Sequence, residues 1–325
     1  MTDAIDVAYD PRYLDWILGP SHPTNAVRAQ LAVELLEGEL PARGLAMNLV
    51  EPIATSAATL RRVHDENYVQ RTLEGRNQEW SAWAEPRPDL GRTAALMCGG
   101  TEVLAHRILA GQTRVGFNPQ GAKHHAHRDH GSGFCVFNDM AVAADLFVSA
   151  GWRVAYVDID AHHGDGVEAL LRDVPQALTA SIHSVPLFPG TGLVSDTDAA
   201  AFNWPLRGPA RDVEWLEALR AAVELIRGWQ PSVLLAAIGA DAHRTDPLSP
   251  LQVTEEGYAE AGRVIGRLAA DLAIPVLIGG AGGYQPLTWT PRLWASVVTE
   301  IGVQVFDGQG EESHRYARGV IASAK

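Results

Sequence analysis

Short apolar, β-branched runs recur along the chain at Val115 to Phe117, Val154 to Val157, Ala177 to Ile182, Val233 to Ile238 and Pro275 to Ile278. Each has the length of a strand. Between them lie longer segments of helical spacing, Asn138 to Ala150, Asp212 to Arg227 and Glu255 to Leu272, with Asn138, Asp212 and Thr254 placed to act as N-caps. Strand and helix in alternation predict an α/β fold: one open parallel sheet covered by helices on both faces. Such a sheet presents its ligands beyond the carboxyl ends of its strands. The least regular stretches, Gly75 to Gly91 and Ser184 to Pro209, read as long loops at the mouth of a site, because strong sheet signals continue after each.

Length changes this picture little. The 325 residues could form two domains, yet nothing resembles a linker, so residues 1–325 are expected to form a single domain. Apolar residues make up 46% and charged residues 20%, as in a globular enzyme with a sizeable core. Charge narrows the partners. With 26 basic and 39 acidic residues the net charge is −13, which repels nucleic acid and anionic membrane surfaces and favours cationic partners. Met1 to Asp10 carries acids and lacks the pattern of a signal or transit peptide, and no run is long and apolar enough to span a membrane. Two cysteines, Cys98 and Cys135, are too few for a disulfide framework and fit a reducing cytoplasm.

Candidate chemistry follows four of the apolar runs. The stretch from Asp158 to Asp165 packs three carboxylates and two imidazoles into eight positions. Crowding of like charges opposes folding unless a cation or histidine partners offset it. Asp160 and His162 emerge at the end of the strand predicted at Val154 to Val157, and Asp241 ends another strand in the same way. One imidazole and two carboxylates form an open, hard donor set suited to Zn²⁺ or Fe²⁺, with positions left for water and substrate. An adjacent pair, His124 and His125, sits on a glycine-containing loop, and Gly279 to Tyr284 follows the last run. Asp241 taken alone would as readily be a helix cap; the four clusters in this order point to a metal hydrolase.

The chain resembles the arginase-like deacetylases, which include histone deacetylases, acetoin-utilisation proteins and acetylpolyamine amidohydrolases. The resemblance runs through H-P-T-N-A-V-R at His22 to Arg28, V-H-D-E-N-Y-V at Val63 to Val69, and G-A-K-H-H-A at Gly121 to Ala126. It continues with S-G-F-C-V-F-N-D at Ser132 to Asp139, D-I-D-A-H-H-G-D-G-V-E at Asp158 to Glu168, and F-P-G-T-G at Phe188 to Gly192. G-A-D-A-H-R-T-D-P-L at Gly239 to Leu248 and G-G-Y at Gly282 to Tyr284 complete it.

The resemblance implies the arginase/deacetylase fold and a metal, Zn²⁺ first and Fe²⁺ second, held by Asp160, His162 and Asp241. His125 matches the general base and His124 its neighbour, with Asp165 and Asp158 as their respective orienting carboxylates. Tyr284 matches the donor to the developing oxyanion. Gly133, Phe134, Phe188 and Leu248 would line the substrate channel, and Arg28 an acetate exit. Asp158, Asp160, His162 and Ser181 match a structural K⁺ site.

Two departures stand out. Lys123 precedes the His pair where many relatives carry an apolar residue, and the loop at Trp80 to Gly91 is short, leaving Glu85 or Asp89 for the rim aspartate. The expected activity is removal of an acetyl group from lysine side chains of peptides or proteins, with acetylpolyamines or another small amide as the alternative. Leu248 favours the former, since a polyamine site would profit from a carboxylate there. A two-metal ureohydrolase would demand D-A-H-x-D, where Gly164 stands instead. A binding module without catalysis is disfavoured by the presence of every matched catalytic residue. Cys135 is expected to be buried rather than nucleophilic.

Overall fold

The computed structural model describes residues 3–19, 22–76 and 88–322, with side chains of the last helix described as far as residue 307. Eight strands form one sheet: β1 (Ala4–Ala8), β2 (Ala46–Val50), β3 (Val115–Asn118), β4 (Val154–Asp158), β5 (Ala177–Val185), β6 (Ala201–Arg207), β7 (Val233–Ala237) and β8 (Val276–Gly279). Their order across the sheet is β2-β1-β3-β8-β7-β4-β5-β6, and every pairing is parallel. The helices are α1 (Val27–Glu39), α2 (Ala57–Val63), α3 (Glu66–Leu73), α4 (Leu90–Leu109), α5 (Asp139–Ser149), α6 (Asp165–Leu171), α7 (Asp212–Trp229), α8 (Glu255–Asp271) and α9 (Trp289–Ala322).

The inner strands are buried on both faces, which is why they read as unbroken apolar runs. Alternate residues serve opposite cores. Ala155 and Val157 of β4 pack with Trp215, Ile265 and Trp294 from α7, α8 and α9. Val154 and Tyr156 pack on the other side with Leu104, Met140 and Phe147 from α4 and α5. The α/β sandwich predicted from the alternation is the observed fold.

Three strands escape the apolar pattern. β1 contains Asp6, buried at 1% exposure and held by Arg107 Nε at 2.6 Å and Asn48 Nδ2 at 3.0 Å. β2 is a half-exposed edge. β6 lies within Ser184 to Pro209, so part of that expected loop is a strand; it carries Pro205 and forms the other edge, where a missing ladder donor is tolerated. A second correction concerns Asp212. It is the first residue of α7, whose N-cap is Arg211. Its carboxylate instead accepts from the backbone N–H and hydroxyl of Thr254, at 2.7 and 2.5 Å, tying the starts of α7 and α8 together. Asn138 and Thr254 do cap their helices, accepting from Ala141 N and Gly257 N.

Register aligns the strand ends. Asn118, Gly279, Ala237, Asp158 and Ser181 lie in one row across five neighbouring strands. Every cluster singled out in the sequence leaves the sheet just beyond that row.

Candidate active site

Asp160 and His162 follow β4, and Asp241 follows β7, the adjacent strand. One ligand atom from each lies within 4.8 Å of the others, and all three residues are buried. His162 Nδ1 is 3.1 Å from Asp160 Oδ1 and 2.9 Å from Asp241 Oδ2. The remaining oxygens are held by backbone donors: Ala161 N to Asp241 Oδ1 at 2.8 Å and Gly282 N to Asp160 Oδ2 at 2.7 Å. The carboxylates are thereby aimed at a common point.

The electrostatics of this triad suit a dication. Burial and the Asp160 charge push Asp241 up to about 7, while burial opposes the Asp160 charge and His124 and His162 hold its carboxyl below the usual range. Burial also works against a charged His162, but the two carboxylates raise it to about 10. A shared proton thus offsets the crowded acids, a task a divalent cation on one nitrogen and two oxygens performs with a stronger field. The donor set fits Zn²⁺ or Fe²⁺.

The two predicted His–Asp pairs form. His124 Nδ1 donates to Asp158 Oδ2 at 2.8 Å, and Tyr156 donates to the same oxygen at 2.5 Å. His125 Nδ1 lies 2.7 Å from Asp165 Oδ1, which leaves Nε2 to the cavity that His125 lines. The imidazoles differ in charge state. Burial opposes protonation of His124, yet Asp158 and Asp160 carry it up to about 9; burial together with the neighbouring His124 pushes His125 down to about 4. A neutral imidazole that can accept a proton therefore sits against a charged one.

The loop bearing the pair is pinned from below. Asp139 accepts from Ala122 N, Lys123 N and the Thr101 hydroxyl at 2.9, 2.7 and 2.5 Å. His64 fixes the next loop, with Nδ1 donating to His127 O and Nε2 accepting from Asn138 N. Tyr68 donates to Val136 O. These contacts explain the presence of the segment from Val63 to Val69, whose side chains stay outside the cavity.

Around the mouth, Phe188 is 48% exposed and its ring stands 5.0 Å from His125 and 6.3 Å from His162. Phe134, at φ 65°, faces Tyr284 at 6.1 Å. Gly133 is required between them: at φ 52°, a Cβ would lie 2.3 Å from His125 Cδ2 and 2.9 Å from Phe188. Tyr284 stands edge-on to His162 at 6.2 Å, and burial pushes its phenol well above the usual range, so it stays a donor. Asp246 accepts from Tyr284 N and Leu248 N, at 2.8 and 2.9 Å, which places Leu248 beside the tyrosine loop.

Ser181 ends level with Asp158, but its hydroxyl is 2.9 Å from His183 Nδ1. Arg28 is buried, donates to Gly283 O at 2.7 Å and lies over the Trp294 ring at 4.9 Å. Glu85 lies outside the described residues; Asp89 stands at the start of α4. Cys135 is buried, with its thiol pushed up to about 12 by burial, and so is no nucleophile.

One contributor was not legible in the sequence. His127 places Nε2 3.1 Å from Asp165 Oδ2 and stacks on His130 at 4.7 Å. Asp165 is therefore shared between His125 and His127. At Gly164, which stands in place of the second-metal carboxylate, a side chain would also need its surroundings to shift: a Cβ there would lie 2.4 Å from Asp158 Oδ2.

An open parallel sheet that gathers two carboxylates and an imidazole at its inner strand ends provides the donors a metal hydrolase needs. Comparison with known proteins says of which kind. The chain belongs to the histone deacetylase domain family, whose model matches residues 22–301, and is a deacetylase. It is 34% identical to the acetoin utilization protein AcuC of Bacillus subtilis (strain 168) over 93% of this chain and 82% of that protein. Histone deacetylase 8 of Xenopus tropicalis is 30% identical over 76% of this chain and 71% of its own. The crystal structure of the HDA15 HD domain superposes with a TM-score of 0.80, covering 95% of each chain at 24% identity, which supports the fold.

Proposed function

We propose that this protein removes the acetyl group from N-acetylated lysine side chains of peptides or proteins, with Zn²⁺ as its metal and Fe²⁺ as the metal the same donors would also take. The observation that carries this is the convergence of Asp160, His162 and Asp241 beside two His–Asp pairs whose imidazoles line one cavity with Tyr284. Residues 1–325 act as one catalytic domain, in a reducing cytoplasm where Cys98 and Cys135 stay free. Among the described residues no helix is long and apolar enough to cross a membrane.

Asp160, His162 and Asp241 would hold the metal, which when bound supplies Lewis-acid polarisation of the acyl oxygen and a lowered pKa for water. The other steps fall to the chain itself. His125, neutral and oriented by Asp165, takes the proton of the attacking water through Nε2. Tyr284 donates its phenolic proton to the developing oxyanion. The His125 imidazolium then protonates the departing amine, while His124, held charged by Asp158, stabilises negative charge beside it. Phe134 and Phe188, with Gly133 between, flank the aliphatic stem, and Leu248 covers the rim. Asp158, Asp160, His162 and Ser181 would hold K⁺, and Arg28 would line the acetate exit.

His125 sets the pH profile. The base must be neutral, so activity is lost as pH falls through its folded pKa of about 4, well under the free imidazole value of about 6.5. A profile of kcat/KM against pH on the metal-loaded enzyme is expected to stay flat down to about pH 5.5 on the His125 limb. A limb at the free imidazole value that shifts in Asp165→Asn would contradict the environment described.

The absence of a carboxylate at Leu248 favours lysine peptides over polyamines, whereas the net charge of −13 suits cationic substrates of both kinds and does not decide. The test is kcat/KM on an acetyl-lysine peptide and an acetylated diamine side by side. Preference for the peptide is expected; preference for the diamine would replace lysine by polyamine.

A further inference from the structure

The loop that carries Tyr284 is loose by composition on one side and fastened on the other. Four of the five residues before the tyrosine are glycines, and Gly283 stands at φ 135°, a conformation other residues rarely adopt. Among the described residues the Tyr284 hydroxyl has no hydrogen-bond partner in the chain. The aim of the phenol therefore rests on its ring contacts with Phe134 and His162 and on the backbone that bears it. Asp246 accepts from the Tyr284 N–H at 2.8 Å, and Arg28 donates to the Gly283 carbonyl at 2.7 Å.

Beyond the tyrosine, Gln285 ties the loop in two directions. Its N–H donates to Thr290 Oγ1 at 3.2 Å, and its carbonyl accepts from Thr288 N and Thr290 N, both at 3.2 Å, which fixes its backbone to the start of α9. Its carboxamide grips one residue of the loop that follows Asp241. The Thr245 hydroxyl donates to Gln285 Oε1 at 2.8 Å, and Gln285 Nε2 donates to the Thr245 carbonyl. A carboxamide carries a donor and an acceptor at one end, so it satisfies the hydroxyl and the carbonyl of a single threonine at once. Thr245 is held in turn: its hydroxyl oxygen lies 2.8 Å from Nδ1 of the buried His243, whose ring packs against Trp289 at 4.9 Å. The bonds from Asp246 to Tyr284 and from Thr245 to Gln285 are successive. Together they fasten the loop bearing Leu248 to the loop bearing the phenol.

We propose that Gln285, through its two-bond clasp on Thr245, is a positioning residue for Tyr284, holding the loop where the phenol meets the developing oxyanion. This rests on the oxyanion role proposed for Tyr284 above. Among the described residues neither Thr245 nor Gln285 bonds to Asp160, His162 or Asp241, so the clasp acts on turnover and leaves the metal donors in place.

The test is a cycle of variants of the full zinc-loaded chain, with kcat and KM read on the acetyl-lysine peptide, or on the acetylated diamine if that is the amide turned over. Gln285→Met keeps the aliphatic stem and deletes both bonds. Its kcat is expected to fall by about tenfold, with KM and zinc content unchanged. Thr245→Val deletes the hydroxyl and is expected to lower kcat in the same sense, whereas Thr245→Ser keeps the hydroxyl and the parental value. The deciding comparison is made in Tyr284→Phe. There Gln285→Met is expected to change the residual kcat by less than about twofold, because no phenol remains to be placed.

An equal loss in both backgrounds overturns the inference, since a general defect of fold or metal acts with or without the phenol. Parental kcat in Gln285→Met beside an impaired Tyr284→Phe also overturns it and leaves the role of Tyr284 standing. Parental turnover in Tyr284→Phe, or a parent that hydrolyses neither amide, sinks that role and the inference with it.

Discussion

Tyr284→Phe is expected to keep its metal and to lose about 10² to 10³ in kcat, as when an oxyanion donor is removed. The magnitude follows from where the phenol sits. Its backbone is fixed by Asp246, its ring stands against His162 and Phe134, and burial keeps its proton in place. Phenylalanine preserves the ring packing and deletes one donor. The loss should therefore appear in kcat rather than in KM or metal content. Turnover equal to the parent would remove Tyr284 from the chemistry.

Asp241→Ala is expected to lose metal and activity together. It takes away one of the three side chains proposed to hold the metal and leaves Asp160 and His162 without the second carboxylate. It also strips the acceptor from Ala161 N, so folding stability should fall by about 1 to 3 kcal/mol. Asp241→Asn separates the two effects: its amide oxygen can still accept from Ala161 N, but it carries no charge toward the metal. The Asn variant should fold near parental stability and bind metal weakly. Full metal occupancy with full turnover in Asp241→Asn would show that the carboxylate is no ligand.

The sheet was legible wherever burial on both faces wrote continuous apolar runs, as in β4, β5, β7 and β8. It was illegible where a partner elsewhere compensates a polar residue. Asp6 hides β1 because its neutralising Arg107 lies on α4, and Pro205 hides β6 because only an edge strand tolerates it. The same division runs through the site. Asp160, His162 and Asp241 could be placed because each leaves a predicted strand end, and strand order brings β4 beside β7. The hold of His127 on Asp165 spans 38 positions of sequence, with no local signal.

The most direct test is a zinc titration of metal-depleted protein, following acetate release from an acetyl-lysine peptide. Activity is predicted to rise linearly with added zinc and to saturate at one equivalent per chain, since Gly164 supplies no carboxylate where a second metal would need one. Saturation at two equivalents, or acetate release that survives depletion undiminished, would contradict a one-metal deacetylase built on Asp160, His162 and Asp241.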